Sequence, residues 1–185
     1  IKFLTLFGFS SENWKRTPTE IFDLMSLLRS YLDNEIHDLH KKNIRFKVIG
    51  DREKLDADIV ELIEVAEELT KENCDLTLTI ALSYGGRRAI TLAAKELAYR
   101  ACKGTIKLDE ISEEAFELVL ETQGVPNPDL VIRTSGEKRI SNFLLWECAY
   151  SEFVFFDTLW PDFSSEHLTK AVQEYCNRER RFGAA

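Results

Sequence analysis

The residue types best suited to chemistry crowd into Asp129–Asn142, DLVIRTSGEKRISN. Leu130, Val131 and Ile132 form a short apolar run with two β-branched members, which predicts a buried strand. Arg133 follows at its end, then a Thr134-Ser135-Gly136 turn, then Glu137, Lys138 and Arg139. Ser141 and Asn142 open a new apolar stretch, and a helix is predicted over Ile140–Tyr150. A strand that ends in Arg, turns on Gly and enters a helix aims backbone N–H groups, hydroxyls and two guanidiniums at one place. Phosphate or diphosphate is the ligand such a place suits. Two surface arginines on a loop are the alternative, and this stretch alone leaves both readings open.

Other cationic side chains are candidates for the same ligand: Arg16 and the Arg87/Arg88 pair. Each charge-assisted hydrogen bond to phosphate contributes roughly 1.5–3 kcal/mol. Two or three such bonds outweigh the repulsion of an acidic protein, much of which salt screens. Glu152 begins a strand and can either hold Mg²⁺ with a second carboxylate or serve structure alone. Trp14, beside Asn13 in a polar loop, is either a lid over the core or a functional aromatic. His37, His40 and His167 read as solvated helix residues. The basic run Arg178–Arg181 complements the negative end of its own helix.

The 185 residues, 44% of them aliphatic, aromatic or Cys, suffice for one domain with a substantial core. A formal charge of −8 argues against a nucleic-acid partner. Cys74, Cys102, Cys148 and Cys176 are scattered without metal-ligand spacing, as expected of reduced thiols in a cytoplasmic protein. No stretch of about 18 apolar residues is present. The chain opens without Met and inside a strand pattern, IKFLTLFGF, so a preceding N-terminal portion is expected.

The elements that must position these residues alternate. Strands are predicted over residues 1–9, Arg45–Asp51, Leu76–Leu82, Leu130–Ile132 and Glu152–Phe156. Between them lie helices from Thr17 to about Leu39, from Asp56 to about Lys71, from the end of a Ser83–Arg88 turn to about Lys103, and a short one near Ser112–Glu121. A last helix starts at about Ser165. Thr17-Pro18-Thr19-Glu20 is a capping box with Pro at the first helical position. In the helix that follows, Ile21, Leu24, Met25, Leu28, Leu32, Ile36 and Leu39 form an apolar stripe. Phe22, Leu27 and Tyr31 lie off it, which predicts a buried face wider than a surface helix needs. This alternation, without tight hairpins, implies an α/β fold in one domain over residues 1–185: a mostly parallel central sheet flanked by helices, with ligands at the strands' carboxyl ends.

Taken together, FSSENWKR (Phe9–Arg16), Ile49-Gly50-Asp51, Tyr84-Gly85-Gly86-Arg87, DLVIRTSGE (Asp129–Glu137), RISNFLLW (Arg139–Trp146), Trp160-Pro161-Asp162-Phe163 and the Arg178–Gly183 tail resemble the cis-prenyltransferases, most closely the bacterial undecaprenyl diphosphate synthases. They occur in family order along the whole chain. The resemblance implies a Mg²⁺-dependent transferase that condenses isopentenyl diphosphate repeatedly onto an allylic diphosphate, farnesyl diphosphate foremost. The product would be a cis-polyprenyl diphosphate such as undecaprenyl diphosphate, the lipid-carrier precursor for cell-wall synthesis.

By the same resemblance, Ser10, Asn13 and Trp14 would be catalytic, in a loop that orders over the substrates. Arg16, Glu20, Arg133, Arg139, Ser141, Arg181 and Gly183 would bind substrate, and Glu152 would be a metal ligand. Arg181-Phe182-Gly183 looks like the family's R-x-G tail, which reaches across a homodimer interface. Leu24, Leu27, Leu28, Ile44, Phe46 and Leu76 would line a hydrophobic tunnel, with plain core packing as the alternative for each. The enzyme would work in the cytoplasm or peripherally at the membrane that receives its product.

Two departures stand out. The family's D-G-N-x-R turn, which carries a metal-binding aspartate, does not occur, and position 138 is Lys where close relatives often have His. A non-catalytic partner subunit of a heteromeric prenyltransferase is therefore the rival reading, and an unrelated phosphate-binding α/β domain is a third.

Overall fold

β-branched and aromatic runs of four to six residues form the strands, and amphipathic helices connect most of them. The computed structural model describes residues 1–179. The elements run β1 (Phe3–Phe7), α1 (Pro18–Lys41), β2 (Ile44–Ile49), α2 (Ala57–Thr70), β3 (Leu76–Ala81), α3 (Gly86–Cys102), α4 (Glu113–Glu117), β4 (Leu130–Arg133), β5 (Glu152–Phe155) and α5 (Ser165–Cys176). Internal packing divides the chain into two compact units, Ile1–Pro126 and Asn127 onward.

In the first unit β3 is the central strand of a parallel sheet ordered β1-β3-β2. Phe3 pairs with Thr77 on one side, and Ile44 with Leu76 on the other. The parallel α/β class is as expected, but the strands fall into a three-stranded and a two-stranded sheet. The capping box forms: Thr17 N–H donates to Glu20 Oε2 (3.1 Å) and Glu20 N–H to Thr17 Oγ1 (3.4 Å). Met25, Leu32 and Ile36 of α1 join Phe46, Val48, Ile59 and Ile63 in the core.

The wide buried face expected of α1 is not present among the described residues. Phe22, Leu27 and Tyr31 are 67, 62 and 64% exposed. The Met25–Leu32–Ile36 seam already fills the contact with β2 and α2, and a helix presents only one stripe to one neighbour.

At the end of β2, Gly50 has φ +120°, and a Cβ there would lie 1.8 Å from the Leu82 carbonyl oxygen. Only glycine allows the backbones to approach so closely.

In the second unit β4 and β5 pair in parallel, from Leu130↔Glu152 to Arg133↔Phe155. The helix expected over Ile140–Tyr150 does not form. The segment is a series of turns in which Ser141, Asn142 and Leu144 have φ of 51, 62 and 43°. Left-handed residues cannot sit inside a right-handed helix. The apolar side chains that suggested one instead bury Leu144 and Cys148.

His167 is half-buried and packed, where a solvated side chain was expected. It packs against Phe156 and Phe163, and its ring nitrogens meet Ser164 Oγ (2.9 Å) and Thr158 Oγ1 (3.1 Å). His40 is exposed, as expected, with its Nδ1 3.3 Å from the Asn73 amide.

Burial pushes the Cys148 thiol up to about 11, whereas Cys74, Cys102 and Cys176 are exposed. The thiolate is the reactive form, and at pH 8 only about one Cys148 in a thousand carries it. Titration of the native protein with a disulfide reagent at pH 8 should therefore show three fast thiols, the fourth appearing on denaturation. Four comparable rates would contradict this packing.

Candidate active site

Arg133 ends β4, and a single nitrogen pins its guanidinium. Nη1 donates to the Arg139 carbonyl (2.8 Å) and to Ser141 Oγ (2.9 Å). Nε and Nη2 have no protein partner among the described residues, so the other edge of the fork remains available to a bidentate anion. The left-handed Ser141 is what turns its hydroxyl back to Arg133. Arg139 is exposed and ion-paired with Glu137, two residues away. Of the expected trio, Arg133 thus meets Ser141 Oγ and the Arg139 backbone, while the Arg139 guanidinium is held by Glu137.

Two of the turn's backbone donors are already engaged. Ser135 N–H is taken by the Thr158 carbonyl (2.8 Å) and Gly136 N–H by Phe156 (2.9 Å). With the helix absent as well, the donors that this segment offers are those of its side chains.

Glu152, at the start of β5, accepts from Arg178 Nη1 through Oε2 (2.6 Å). Arg178 also donates to the Phe153 carbonyl (2.9 Å) and to Glu174. These bonds hold its guanidinium further toward the charged form than usual. Arg178, expected as a cap on its own helix, mainly ties the end of α5 to β5. Its partner lies 26 positions away, and no local pattern announces that.

Glu152 Oε1 has no partner among the described residues. One half-exposed carboxylate oxygen suits one position of a Mg²⁺ ion whose other positions are waters and diphosphate oxygens. No cluster of three His, Cys, Asp or Glu side chains able to hold a metal occurs among the described residues. Arg181 and Gly183 lie outside them.

In the first unit the polar loop after β1 is a 3-10 turn, Ser11–Lys15, with a capping box of its own. Glu12 N–H donates to Ser10 Oγ (3.2 Å), and Ser10 N–H to Asn13 Oδ1 (2.9 Å), which leaves the Asn13 amide nitrogen with no protein partner among the described residues. Trp14 packs edge-on to Phe9 (5.0 Å between centroids), and its Nε1–H donates to Ser83 Oγ (2.8 Å). A cleft of about 510 Å³ opens beside the turn, lined by Trp14, Arg16, Ile21, Phe22, Met25 and Arg29 among others. At its far wall Arg29 clamps Asp56 and Asp58 at 2.5 Å each. Arg16 forms no ion pair within hydrogen-bonding range among the described residues.

Glu20 is committed to the helix cap through Oε2, and those bonds to Thr17 hold its carboxyl below the usual range. Only its Oε1 is left for a substrate. Arg88, a candidate anion ligand from sequence, bridges Asp51 and Glu121 at 3.1 Å each. Asp51 is buried, so this cation is spent on compensating a desolvated carboxylate.

Of the residues expected to line a tunnel, Phe46 is buried in the core, with Leu24 and Leu28 packed against it. Ile44 and Leu76 are half-buried register partners, and Leu27 is exposed.

A family model described as "Putative undecaprenyl diphosphate synthase" matches residues 1–183. The isoprenyl transferase of Agrobacterium fabrum is 48% identical over 184 residues, covering 100% of this chain and 74% of that protein. That of Zymomonas mobilis is 50% identical over 183 residues, covering 99% and 74%. Among solved structures, lavandulyl diphosphate synthase from Lavandula x intermedia, in complex with dimethylallyl diphosphate, superposes with a TM-score of 0.96 at 36% identity, covering 99% of this chain and 79% of that one. A "probable undecaprenyl diphosphate synthase" from Campylobacter jejuni gives 0.87 at 38% identity, covering 99% and 84%.

The chain belongs to the cis-prenyltransferase family. Its chemistry is that of the polyprenyl diphosphate synthases, which extend isoprenoid chains carried on diphosphates. No helix among the described residues is long and apolar enough to cross a membrane.

Proposed function

We propose that the protein condenses isopentenyl diphosphate repeatedly onto an allylic diphosphate, farnesyl diphosphate foremost, to give a long cis-polyprenyl diphosphate such as undecaprenyl diphosphate. The observation that carries this reading is Arg133, held through Nη1 by the Arg139 carbonyl and Ser141 Oγ while its Nε–Nη2 edge stays free. That arrangement fits the diphosphate of isopentenyl diphosphate. Arg139 adds a second cation once the anion displaces Glu137 from it.

The 3-10 turn supplies the open Asn13 amide and Arg16 for diphosphate oxygens, with Ser10 capping the turn and Trp14 anchoring it. The dimethylallyl diphosphate in the lavandulyl diphosphate synthase supports an allylic diphosphate as the acceptor. Leu24, Leu28, Ile44, Phe46 and Leu76 remain the candidates for the prenyl channel, with Leu27 at its open flank. The protein works as a homodimer to which the Arg181-Phe182-Gly183 tail contributes.

In the reaction the alkene of isopentenyl diphosphate attacks the allylic carbon, the allylic C–O bond breaks, and a proton leaves the new chain. Fixed guanidiniums stabilise charge on diphosphate oxygens without reorganising. Glu152 would hold Mg²⁺, which when bound neutralises diphosphate charge.

Incubation with labelled isopentenyl diphosphate, farnesyl diphosphate and Mg²⁺ tests the reading, and a lack of chain extension would remove it. Glu152→Gln should raise the Mg²⁺ concentration for half-maximal activity by about tenfold or more, since even second-shell changes weaken metal sites 10–100-fold. An unchanged Mg²⁺ dependence would remove Glu152 from the metal site.

A further inference from the structure

We infer that Ser83 is a positioning residue for the reaction: it fixes the Trp14 turn in its ordered form through the indole N–H···Oγ bond. The inference rests on the reading that this turn acts on the substrates. Ser83 is fully buried, and its φ of 49° is left-handed, a conformation uncommon for serine. Its carbonyl accepts from Asp51 N–H (3.3 Å), which ties the residue to the turn after β2. Gly50 closes tightly against the same place, where a Cβ would meet Leu82 O and, at 3.2 Å, Tyr84 Cα. The hydroxyl is therefore presented from a backbone with little room to move.

It accepts from Trp14 Nε1 at 2.8 Å. Beside that bond, Ser11 N–H donates to the Tyr84 carbonyl (2.8 Å) and Tyr84 N–H to the Phe9 carbonyl (3.1 Å). The two backbone bonds hold the start of the turn. The indole bond is the side-chain tether further along it, next to Arg16 and the cleft. Without the Ser83 hydroxyl the half-buried indole N–H loses its acceptor, and the turn gains reason to leave its docked position.

The backbone conformation makes a clean test possible. Ser83→Gly deletes the hydroxyl at a φ that glycine adopts freely, and Ser83→Asn restores a side-chain acceptor at a φ that asparagine tolerates. Trp14→Phe removes the donor while keeping an aromatic ring against Phe9. Steady-state kinetics with isopentenyl and farnesyl diphosphates, together with thermal unfolding, are read on all three and on the Ser83→Gly/Trp14→Phe double variant.

The expected result is a fall in kcat/KM of about 3–10-fold for Ser83→Gly, the range for one net hydrogen bond. Tm should drop by only a few degrees, about what one hydrogen bond moves a chain of this length. Ser83→Asn should recover most of the activity, and the double variant should be no worse than the poorer single one.

Wild-type activity in Ser83→Gly, effects that simply add in the double variant, or an Asn variant as poor as the Gly one would each overturn the proposal. Trp14→Ala separates the two layers. If it too leaves activity unchanged, the role of the turn itself falls. If it impairs activity while Ser83→Gly does not, the Ser83 assignment alone fails.

Discussion

Arg133→Ala is expected to lower kcat/KM for isopentenyl diphosphate by roughly 30- to several-thousand-fold. That corresponds to the roughly 2–5 kcal/mol lost when one partner of a desolvated charge pair is truncated. The effect is large because Arg133 does two things. Its free Nε–Nη2 edge fits the anion, and its Nη1 holds the Arg139 carbonyl and the Ser141 hydroxyl in place. Removing it deletes a ligand and loosens two neighbours together.

Lysine should not substitute, since an ammonium cannot satisfy a carbonyl, a hydroxyl and a bidentate anion in one plane. Affinity for farnesyl diphosphate, measured separately, should change far less. Arg139→Ala should have a smaller effect, because that side chain is exposed and already shared with Glu137. Equal losses for both substrates in Arg133→Ala would sink the assignment.

Gly50→Ala is expected to destabilise the fold by about 3 kcal/mol or more. Two terms combine: about 1–3 kcal/mol for holding an L-residue at φ +120°, and about 1–3 kcal/mol for overpacking. The added Cβ would lie 1.8 Å from the Leu82 carbonyl oxygen, and a backbone atom cannot rotate aside. Relief requires parting β2 from β3, at the expense of the Leu82 N–H to Ile49 carbonyl bond (2.9 Å) and of Asp51 N–H to Ser83.

For a chain of this size the loss should lower Tm by roughly 6–12 °C. Gly8→Ala is the control. There the nearest atoms, at 3.1 Å, belong to the Ile80 and Leu82 side chains, which can give way. A Tm in Gly50→Ala equal to that of Gly8→Ala would contradict the close approach of the strands.

How much of this was legible in the chain follows the range of the forces involved. The start of α1 was readable because Thr17, Pro18 and Glu20 act on one another within a single turn. The β-branched runs of β2, β3 and β4 announced themselves by composition. Over Ile140–Tyr150 the apolar residues have helical spacing, and only the left-handed Ser141, Asn142 and Leu144 exclude the helix. Serine and leucine give no local warning of such a conformation.

The partners of Trp14 and Glu152 were invisible for a different reason. Ser83 is 69 positions from Trp14, and Arg178 is 26 from Glu152, so only tertiary packing pairs them. Arg88 misled because a cation near a strand end reads the same whether its partner is a ligand or the buried Asp51. The motif residues were legible as a set, while what each one touches was not.

The strand order β1-β3-β2 also bears on how the first unit assembles in time. β2 and β3 are joined through α2 alone, whereas β1 must wait for β3 to emerge from far down the chain before Phe3 can meet Thr77. Closing the longer loop carries the larger entropic barrier. The β2–α2–β3 crossover should therefore nucleate, with β1 zipping on afterwards. Conservative substitutions at Val48 or Ile80 would then slow folding, while those at Leu4 or Leu6 would chiefly hasten unfolding.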